Sequence, residues 1–499
     1  MDQITLPGLK IGIVGAGVAG LAAAISCRRA GHECEVFERS LFRNENGAAV
    51  SIPPNGGRIL KKWGFDSEKT QGIQIKQVRR PKGDTLEPMA PTLDFSDIPE
   101  RYGNEWYFYH RVDMHRHLRE LAEDESLPGK ASVIKLGCQV VDIDPEEGKI
   151  WLKDGTVVQK DLIIVADGQH DRLNQKITGV DIPMQRSGQT AYRCLIPMKD
   201  ILDDPVTRPL FENEAPGFWA PALPAKGVMC VTYPCRNGEV LNCLIVARKL
   251  KDTATGEEDQ AIEDWNFPAT PEMLEAVMDG FHPSVKALMM KSPEIKMYTQ
   301  MKRDPLPKMF KGKALLIGDA CHPMLLTHAQ GVSSSIEDAA ALEVLLRGVP
   351  GTESVTSQLS QKLAGRLALF EQLRLPRVSA TQILTEPIVP GPKFVEMAQK
   401  AEARIRQYYQ GPLPDMKSVP HSKPICDFFF AYDVIKEAQQ VLEVAQRMEE
   451  VAINYKSQAQ KAVVHVVEVK SESSAAPQAE RRLTDMLYQC VGRRKVSQK

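Results

Sequence analysis

The chain has 499 residues, of which 43% are hydrophobic and 25% charged, and its formal net charge is −1 at neutral pH. This length supports two to three globular domains with sizeable cores. The near-zero charge and the lack of a long basic block predict no nucleic-acid partner. No apolar run approaches the roughly 20 residues that span a bilayer, which predicts no membrane span.

The ten cysteines are spaced irregularly and include no C-x-x-C pair. This pattern argues against a disulfide framework and a zinc site, and it favours reduced thiols in a cytosol-like compartment. No His, Asp or Glu pair has metal-ligand spacing, so we expect no metal. The opening residues also lack a signal-type apolar core. We therefore expect a soluble, cytoplasmic protein.

The first motif is the run LKIGIVGAGVAG at residues 9–20, which continues into an alanine-rich segment. An apolar strand that ends in G-x-G-x-x-G and becomes a helix predicts a dinucleotide-binding βαβ unit. Gly15 would allow the tight turn, Gly17 the close approach of a pyrophosphate, and Gly20 the packing of helix on strand. A second strand ends at Glu38, which we expect to accept hydrogen bonds from ribose hydroxyls.

The following elements are less regular. Residues 47–55 are interpreted as a loop and residues 57–63 as helical, and a further helix is predicted from residue 110 through Leu121. From about 180 to 300 the pattern becomes β-like, as in residues 228–233 and 240–246, which predicts a second, sheet-rich domain. The chain then returns through the apolar strand 314–317 to a helix that we predict to start near Ser335.

Two apolar runs end in an acid. Residues 161–168 (DLIIVADG) close on Asp167, and residues 315–323 (LLIGDACHP) contain Asp319. Ligands of doubly wound sheets bind at the carboxyl ends of parallel strands, so Asp319 is suited to hold ribityl or ribose hydroxyls. Just downstream, Gly331 and Val332 could present backbone N–H groups to negative charge at a helix N-terminus.

Together these motifs resemble the group A FAD-dependent monooxygenases, the aromatic hydroxylases that include p-hydroxybenzoate and salicylate hydroxylase. The resemblance is strongest to the salicylate-hydroxylase-like branch of fungal type and covers about residues 9–390. It is carried by the glycine fingerprint, the GAA loop at 47–49, His110-Arg111 with Asp113, Asp167-Gly168, residues 318–323, and residues 329–331 followed by Glu337-Asp338-Ala339.

The resemblance implies an α/β fold with a Rossmann-like FAD-binding domain, an inserted, mainly β substrate domain and a helical C-terminal extension. We assign the FAD-binding domain to residues 1–75, 111–180 and 300–390, and the substrate domain to 76–110 and 181–299. Residues 391–470 form the helical C-terminal region, and 471–499 a flexible tail. The cofactor contacts implied by the family are Glu38, Ala49, Arg111, Asp319 and Val332, while Asp167 would serve both the flavin and the reduced nicotinamide coenzyme.

The family also implies a reaction in which NADH or NADPH reduces FAD and O2 adds to give a flavin C4a-hydroperoxide. One oxygen atom would pass to an electron-rich aromatic or phenolic natural product, whose anion the protein must stabilise. By resemblance, Arg193 would pair with the phenolate and Tyr233 would donate a hydrogen bond to the same oxygen. His328 lies near the flavin in this alignment and is either a proton relay or a plain loop histidine.

Some residues depart from the family pattern. Asp171 and Asn174 stand where Ser and Arg are usual, Leu326 replaces a proline that faces the flavin, and Ala49 replaces a glycine. Two other interpretations therefore stay open. The same fold could epoxidise an alkene or indole, or the chain could be a catalytically silent flavin-binding interaction protein.

Residues 433–461 predict a long helix with an apolar stripe. The stripe residues are Ile435, Ala438, Val441, Leu442, Ala445 and Met448. A stripe of this kind could form a homodimer through the C-terminal helices or could pack on its own domain.

Overall fold

The computed structural model describes residues 7–42, 47–169, 173–248, 267–351, 357–386, 394–451 and 454. The chain divides into two compact units, Met1–Gln439 and Gln440–Lys499. In the second unit, residues 440–451 are helical, and Val444, Met448 and Val451 are more than half exposed. In the first unit, Val434 and Ala438 are buried. Asp171 and the tail from residue 455 onward lie outside the described residues.

The strands follow one another along the chain. They are β1 Lys10–Val14, β2 Glu33–Glu38, β3 Ala49–Ile52, β4 Ile73–Gln74, β5 Gln77–Arg79, β6 Leu93–Asp94, β7 Tyr107–His110, β8 Val133–Leu136, β9 Val140–Asp144, β10 Lys149–Leu152, β11 Val157–Gln159, β12 Leu162–Val165, β13 Gln185–Pro197, β14 Gly217–Trp219, β15 Ala222–Leu223, β16 Val228–Cys235, β17 Val240–Arg248, β18 Phe267–Pro268, β19 Ile295–Lys302, β20 Phe310–Lys311 and β21 Ala314–Leu316.

The α-helices alternate with these strands in the first half of the chain and dominate its end. They are α1 Val18–Arg29, α2 Pro54–Lys62, α3 Ile98–Tyr102, α4 Arg111–Glu123, α5 Leu173–Thr178, α6 Met198–Leu202, α7 Pro271–Val277, α8 Pro283–Met289, α9 Gln330–Leu346, α10 Ser357–Leu384, α11 Phe394–Ile405 and α12 Lys423–Phe430.

A six-stranded sheet has the order β20-β21-β12-β1-β2-β8, and all neighbours except β20 and β21 run parallel. Its central strands are continuous apolar runs, and every residue of β12 is buried. Helices must therefore cover both faces, as is usual for parallel sheets. Helices α1 and α9 pack against each other, and both are buried along most of their length.

The second large sheet contains β18-β19-β13-β17-β16-β14-β5-β6, with β15 paired to β16. Its long strands alternate between buried and more exposed residues, which places one face on an apolar core and the less buried residues on the other face. The core face packs on α7 and α8 through residues such as Leu274 and Leu288. The strands predicted at 228–233 and 240–246 are confirmed and extend to Cys235 and Arg248.

Two local predictions were wrong. Residues 47–55 contain β3, which pairs with β7 some 60 residues later, and the start of α2. Such a pairing has no signature in the local sequence. Helix α9 begins at Gln330 and not near Ser335, because Ala329 adopts a left-handed conformation (φ 55°) that starts the helix earlier.

The C-terminal helices of the first unit pack on the aromatic part of the second sheet. Phe429 and Phe430 of α12 join Trp106, Phe108 and Phe218 in one buried cluster. The predicted fold class is thereby confirmed: a Rossmann-like α/β domain, an inserted sheet domain and C-terminal helices. Across the described residues, no helix is both long and apolar enough to cross a bilayer.

Candidate functional site

The acids and the glycine turn that the sequence predicts to bind the cofactor lie at one edge of the six-stranded sheet. Strands β21, β12, β1 and β2 are consecutive neighbours and run parallel, so their carboxyl ends lie side by side. Asp319, Asp167, Gly15 and Glu38 each lie at or within three residues of one of these ends. Segments that are remote in the chain therefore form one continuous rim, which is where doubly wound sheets bind ligands.

The backbone geometry and surroundings of the three fingerprint glycines agree with the role predicted for each. Gly15 has φ +95°, a left-handed conformation that suits glycine. A Cβ on Gly20 would lie 1.9 Å from the carbonyl oxygen of Gly15, so α1 packs directly on the turn. A Cβ on Gly17 would meet nothing within 4 Å, which leaves open space in front of the helix.

Two helix N-termini are open to negative charge. Gly17 is the N-cap residue of α1 and Ala329 that of α9, and neither makes a side-chain hydrogen bond to its helix. Over the described residues of both helices, the first turn carries no acidic side chain. Gly331 and Val332 are only partly buried, whereas nearly all of the rest of α9 is buried. These N–H groups suit the pyrophosphate and the flavin pyrimidine edge.

Glu38 lies against the fingerprint turn. Its carboxylate accepts hydrogen bonds from the backbone N–H of Ala16 (2.7 Å) and of Ser40 (2.7 Å). These bonds fix the side chain, and each carboxylate oxygen keeps a lone pair for a ribose hydroxyl. His115 also contacts the turn, through a hydrogen bond between its Nε2 and the carbonyl oxygen of Ala16 (2.7 Å). This histidine could not be identified from the fingerprint motif, because it lies about 100 residues downstream.

Asp319 is exposed at the rim, and a buried ionic network holds its turn. Gly318 has φ +60° and donates its N–H to Asp338 Oδ2 (3.1 Å). Asp338 also binds His322 (2.7 Å) and Arg374 (2.8 Å). Burial alone would raise the pKa of Asp338, but the charges of these two partners hold it below the usual value. Asp338 stands in the quoted Glu337-Asp338-Ala339 run, but its partners could not be read from the sequence.

Arg303 is a second residue that the sequence did not reveal. Its side chain is buried, and Nη2 donates to the carbonyl oxygens of Ala320 (2.7 Å) and Cys321 (3.1 Å). Burial lowers the pKa of Arg303, while the charges of Asp167 and Asp319 act in the opposite direction. The guanidinium therefore lies close enough to both acids to offset their negative charge.

Arg193 lies on the face of the second sheet that is opposite its apolar core. Its neighbours Tyr192 and Cys194 belong to the core on the opposite face, and side chains alternate along a strand. Tyr298 pairs with Ala191, two residues before Arg193, and so shares this face. Burial raises the pKa of Tyr298 to about 12, although the charge of Arg193 lowers it. Tyr298 therefore stays protonated beside Arg193, and sequence reasoning missed it.

Tyr233 is on the same face but has a different partner from the one expected. It pairs with Asn242 on β17, and Leu244, two residues further on, pairs with Arg193. The Tyr233 hydroxyl donates to the carbonyl oxygen of Ala49 (3.0 Å), and Asn242 Oδ1 accepts from the N–H of Ala49 (3.2 Å). Both side chains thus bind the backbone of Ala49, a residue that the family resemblance predicts to contact FAD.

Arg111 joins the two halves of the site. It is exposed at the start of α4, its N–H donates to the carbonyl oxygen of Ala48 (2.7 Å), and its charge helps to lower the pKa of Arg193. His115, one turn further along α4, contacts the fingerprint at Ala16. The face of the sheet that carries Arg193 is therefore continuous with the dinucleotide rim.

His328 lies in the loop before α9, packed on the Phe429 ring with 5.4 Å between centroids. Burial lowers its pKa to about 4, so the ring is neutral at physiological pH. Its Nδ1 finds no hydrogen-bond partner among the described residues. Of the departures from the family pattern, Leu326 is 46% exposed and Asn174 lies on the short helix α5.

The chain matches the family model described as "FAD binding domain" over residues 9–366. It is 35% identical to FAD-dependent monooxygenase cfoG of Aspergillus candidus over 76% of this chain and 85% of that protein. It is 31% identical to hispidin-3-hydroxylase of Neonothopanus nambi over 88% and 97% of the two chains.

A salicylate hydroxylase solved as a substrate complex has a similar fold, with a TM-score of 0.64 and 19% identity over 87% of this chain and 98% of that one. The rim fits the cofactor that the family model describes. Open space lies at Gly17 and Gly331, two uncapped helix N-termini face it, and acids stand at the strand ends. The chain belongs to this FAD-binding family and is an FAD-dependent monooxygenase.

Proposed function

We propose that the protein is an NAD(P)H-dependent hydroxylase that inserts one oxygen atom from O2 into an electron-rich aromatic, phenolic natural product. The observation that carries the proposal is the cationic, tyrosine-lined face formed by Arg193, Tyr298 and Tyr233, with Arg111 beside it. The names of the relatives support an aromatic substrate, because hispidin-3-hydroxylase and 3-amino-4-hydroxybenzoate 2-monooxygenase are among them.

Arg193 would hold the phenolate form of the substrate. Burial lowers the pKa of Arg193, Tyr298 acts in the opposite direction, and Arg111 adds to the lowering. A guanidinium stays protonated even so. Two neighbouring positive charges favour an anion, and the planar fork of an arginine suits a phenolate with an adjacent acyl oxygen. Ionising the phenol raises the electron density of its ring, and this is what the reaction requires.

Tyr298 would orient the ring as a second donor. A tyrosine whose pKa is about 12 stays protonated at neutral pH and can donate to an oxyanion without competing for the proton. The aromatic cluster around Trp106, Phe108 and Phe218 supplies an apolar wall that limits the entry of water. Excluding water strengthens the attraction between Arg193 and the anion.

Bound FAD would supply the redox chemistry, taking a hydride from NAD(P)H and activating O2. The chain would hold it by Gly15, Gly17 and Gly20 at the pyrophosphate, with the remaining contacts distributed along the rim. The remaining predicted contacts are Glu38, Ala49, Arg111, Asp167, Asp319, Gly331 and Val332. Arg303 would hold the turn after Asp319 through the carbonyl oxygens of Ala320 and Cys321, and it would add positive charge near Asp167 and Asp319.

The test is turnover by the purified holoenzyme with NADH or NADPH and a panel of phenols, indoles and alkenes under air. Coenzyme oxidation, H2O2 release and the product mass are followed together. Consumption of a phenol with a mass gain of one oxygen and little H2O2 is the expected result. Oxygen insertion into the indole or alkene substrates alone would instead identify an epoxidase and contradict the proposal.

A further inference from the structure

The backbone of Ala49 is held from the second sheet by two side chains at once. Its carbonyl oxygen accepts from the Tyr233 hydroxyl (3.0 Å), and its N–H donates to Asn242 Oδ1 (3.2 Å). Tyr233 and Asn242 are direct partners across β16 and β17, so a fixed strand register sets the spacing of the donor and the acceptor. Ala49 is the first residue of β3, and the family resemblance predicts that it contacts FAD.

Tyr233 cannot donate to a substrate oxyanion while it makes this bond. A phenolic hydroxyl has a single hydrogen, and an oxyanion can only accept. The ring is also confined, because it stacks on Phe108 (centroids 4.4 Å apart, interplanar angle 24°) and meets Phe218 edge-on at 5.3 Å. Turning the hydroxyl toward the substrate would leave the carbonyl of Ala49 without this donor.

We propose that Tyr233 and Asn242 form one positioning unit, which fixes the two peptide groups on either side of the Ala49 Cα and thereby the segment 47–52 that carries this predicted FAD contact, and that Arg193 with Tyr298 binds the substrate anion. This inference rests on the proposed function for its catalytic consequence and on geometry for the contact itself. The unit is a direct link between the substrate sheet and the cofactor domain. Removing one of these hydrogen bonds should change the position of the flavin relative to the substrate without weakening the binding of the substrate oxyanion by Arg193 and Tyr298.

A second contact between the substrate sheet and the cofactor domain lies nearby and supports a positioning role for this hairpin. Arg236, in the turn between β16 and β17, binds Asp113 of α4 through Nε (2.7 Å) and Nη2 (3.1 Å). The hairpin that carries Tyr233 and Asn242 is therefore anchored to α4 close to Arg111. The hairpin that contacts Ala49 is therefore itself fixed to α4 by the Arg236–Asp113 ion pair.

The experiment compares Tyr233→Phe, Asn242→Ala and the double variant in the FAD-loaded enzyme. Amide hydrogen exchange at Ala49 is read by mass spectrometry or NMR, and the fraction of NADPH electrons released as H2O2 is measured with a phenol that the enzyme hydroxylates. Losing one such bond should raise exchange at Ala49 about fivefold, which corresponds to about 1 kcal/mol. Tyr233→Phe should show this rise even though it leaves the N–H acceptor intact.

Both single variants should increase H2O2 release with little change in the KM for the phenol. The double variant should be no worse than the worse single one, because both changes release the backbone of the same residue, Ala49. Tyr192→Phe is the matched control: it makes the same chemical change on the opposite face of the sheet and should leave exchange at Ala49 unchanged. Cys243→Ala, next to Asn242 but on the opposite face of the sheet, controls for loss of a side chain on this strand and should leave exchange at Ala49 unchanged.

The inference is overturned if Tyr233→Phe raises the KM while exchange at Ala49 stays at the wild-type rate, since Tyr233 would then be a substrate donor. It is also overturned if the two single effects add in full. The exchange measurement needs no turnover, so it decides the Ala49 contact even if the enzyme hydroxylates none of the phenols. Failure of the proposed function and failure of this inference are thus distinguishable.

Discussion

Replacing two glycines of the fingerprint by alanine should separate packing from cofactor binding. In Gly20→Ala the new methyl would lie 1.9 Å from the carbonyl oxygen of Gly15, whereas ordinary contacts begin near 3.4 Å. The helix must therefore move by about 1.5 Å from the strand, and overpacking of this kind costs about 3 kcal/mol. Alanine also favours a helix over glycine by about 1 kcal/mol. The net loss of stability should be about 2 kcal/mol.

In Gly17→Ala the new methyl meets no protein atom within 4 Å. The apoprotein should lose less than about 1 kcal/mol, mostly from the change of N-cap residue. The methyl would occupy space that the pyrophosphate needs, so the Kd for FAD should rise at least tenfold. The two variants make the same chemical change three residues apart, and each serves as a control for the other.

The assay is urea unfolding of the apoprotein together with titration of FAD by flavin fluorescence. Gly20→Ala should unfold at lower urea, and Gly17→Ala should unfold near the wild-type midpoint but bind FAD weakly. An apoprotein of Gly20→Ala as stable as wild type would refute the packing argument. Unchanged FAD affinity in Gly17→Ala would refute the pyrophosphate assignment.

Three further outcomes are expected. Arg193→Ala should retain bound FAD but lose coupled hydroxylation, whereas Asp319→Ala should weaken FAD retention; equal activity in both variants would contradict these roles. Asp338→Asn should cost about 2 kcal/mol, because it removes a buried charge that both Arg374 and His322 contact, while Glu337 stays 2.9 Å from Arg374. The pKa of Asp338 is lower in the folded than in the unfolded protein. Its contribution to the free energy of unfolding is therefore present above the unfolded pKa of about 3.9 and is lost as the pH falls through the lower folded value. Urea unfolding of the variant at decreasing pH should lack this loss. The pKa of His328 is about 4 in the folded protein, below its unfolded value of about 6.5, so the free energy of unfolding should fall by about 3 kcal/mol as the pH falls from 6.5 to 4. In His328→Asn the free energy of unfolding should decline less steeply over this pH range than in wild type. An identical decline would count against burial of His328 as the cause.

The cofactor half of the site could be predicted from the sequence because its signals are local. A glycine turn, the helix after it and an acid at the end of an apolar strand each occupy a short run of residues. The wrong predictions share a different origin. Strand β3 exists because residues 49–52 pair with residues 107–110, and α9 starts at Gln330, directly after Ala329, whose backbone is left-handed. Neither event has a signature in the local chain.

The amino-acid order alone determined that this protein has a dinucleotide turn, that Asp167 and Asp319 end buried parallel strands, and that a second sheet follows. Only the tertiary structure decided which distant side chains contact these elements. Arg303 lies behind the two acids, Tyr298 lies beside Arg193, and the Tyr233 hydroxyl binds a backbone carbonyl. The physical reason is that turns and strand ends are set by neighbours in sequence, whereas a hydrogen-bond partner is set by which strands become neighbours in space.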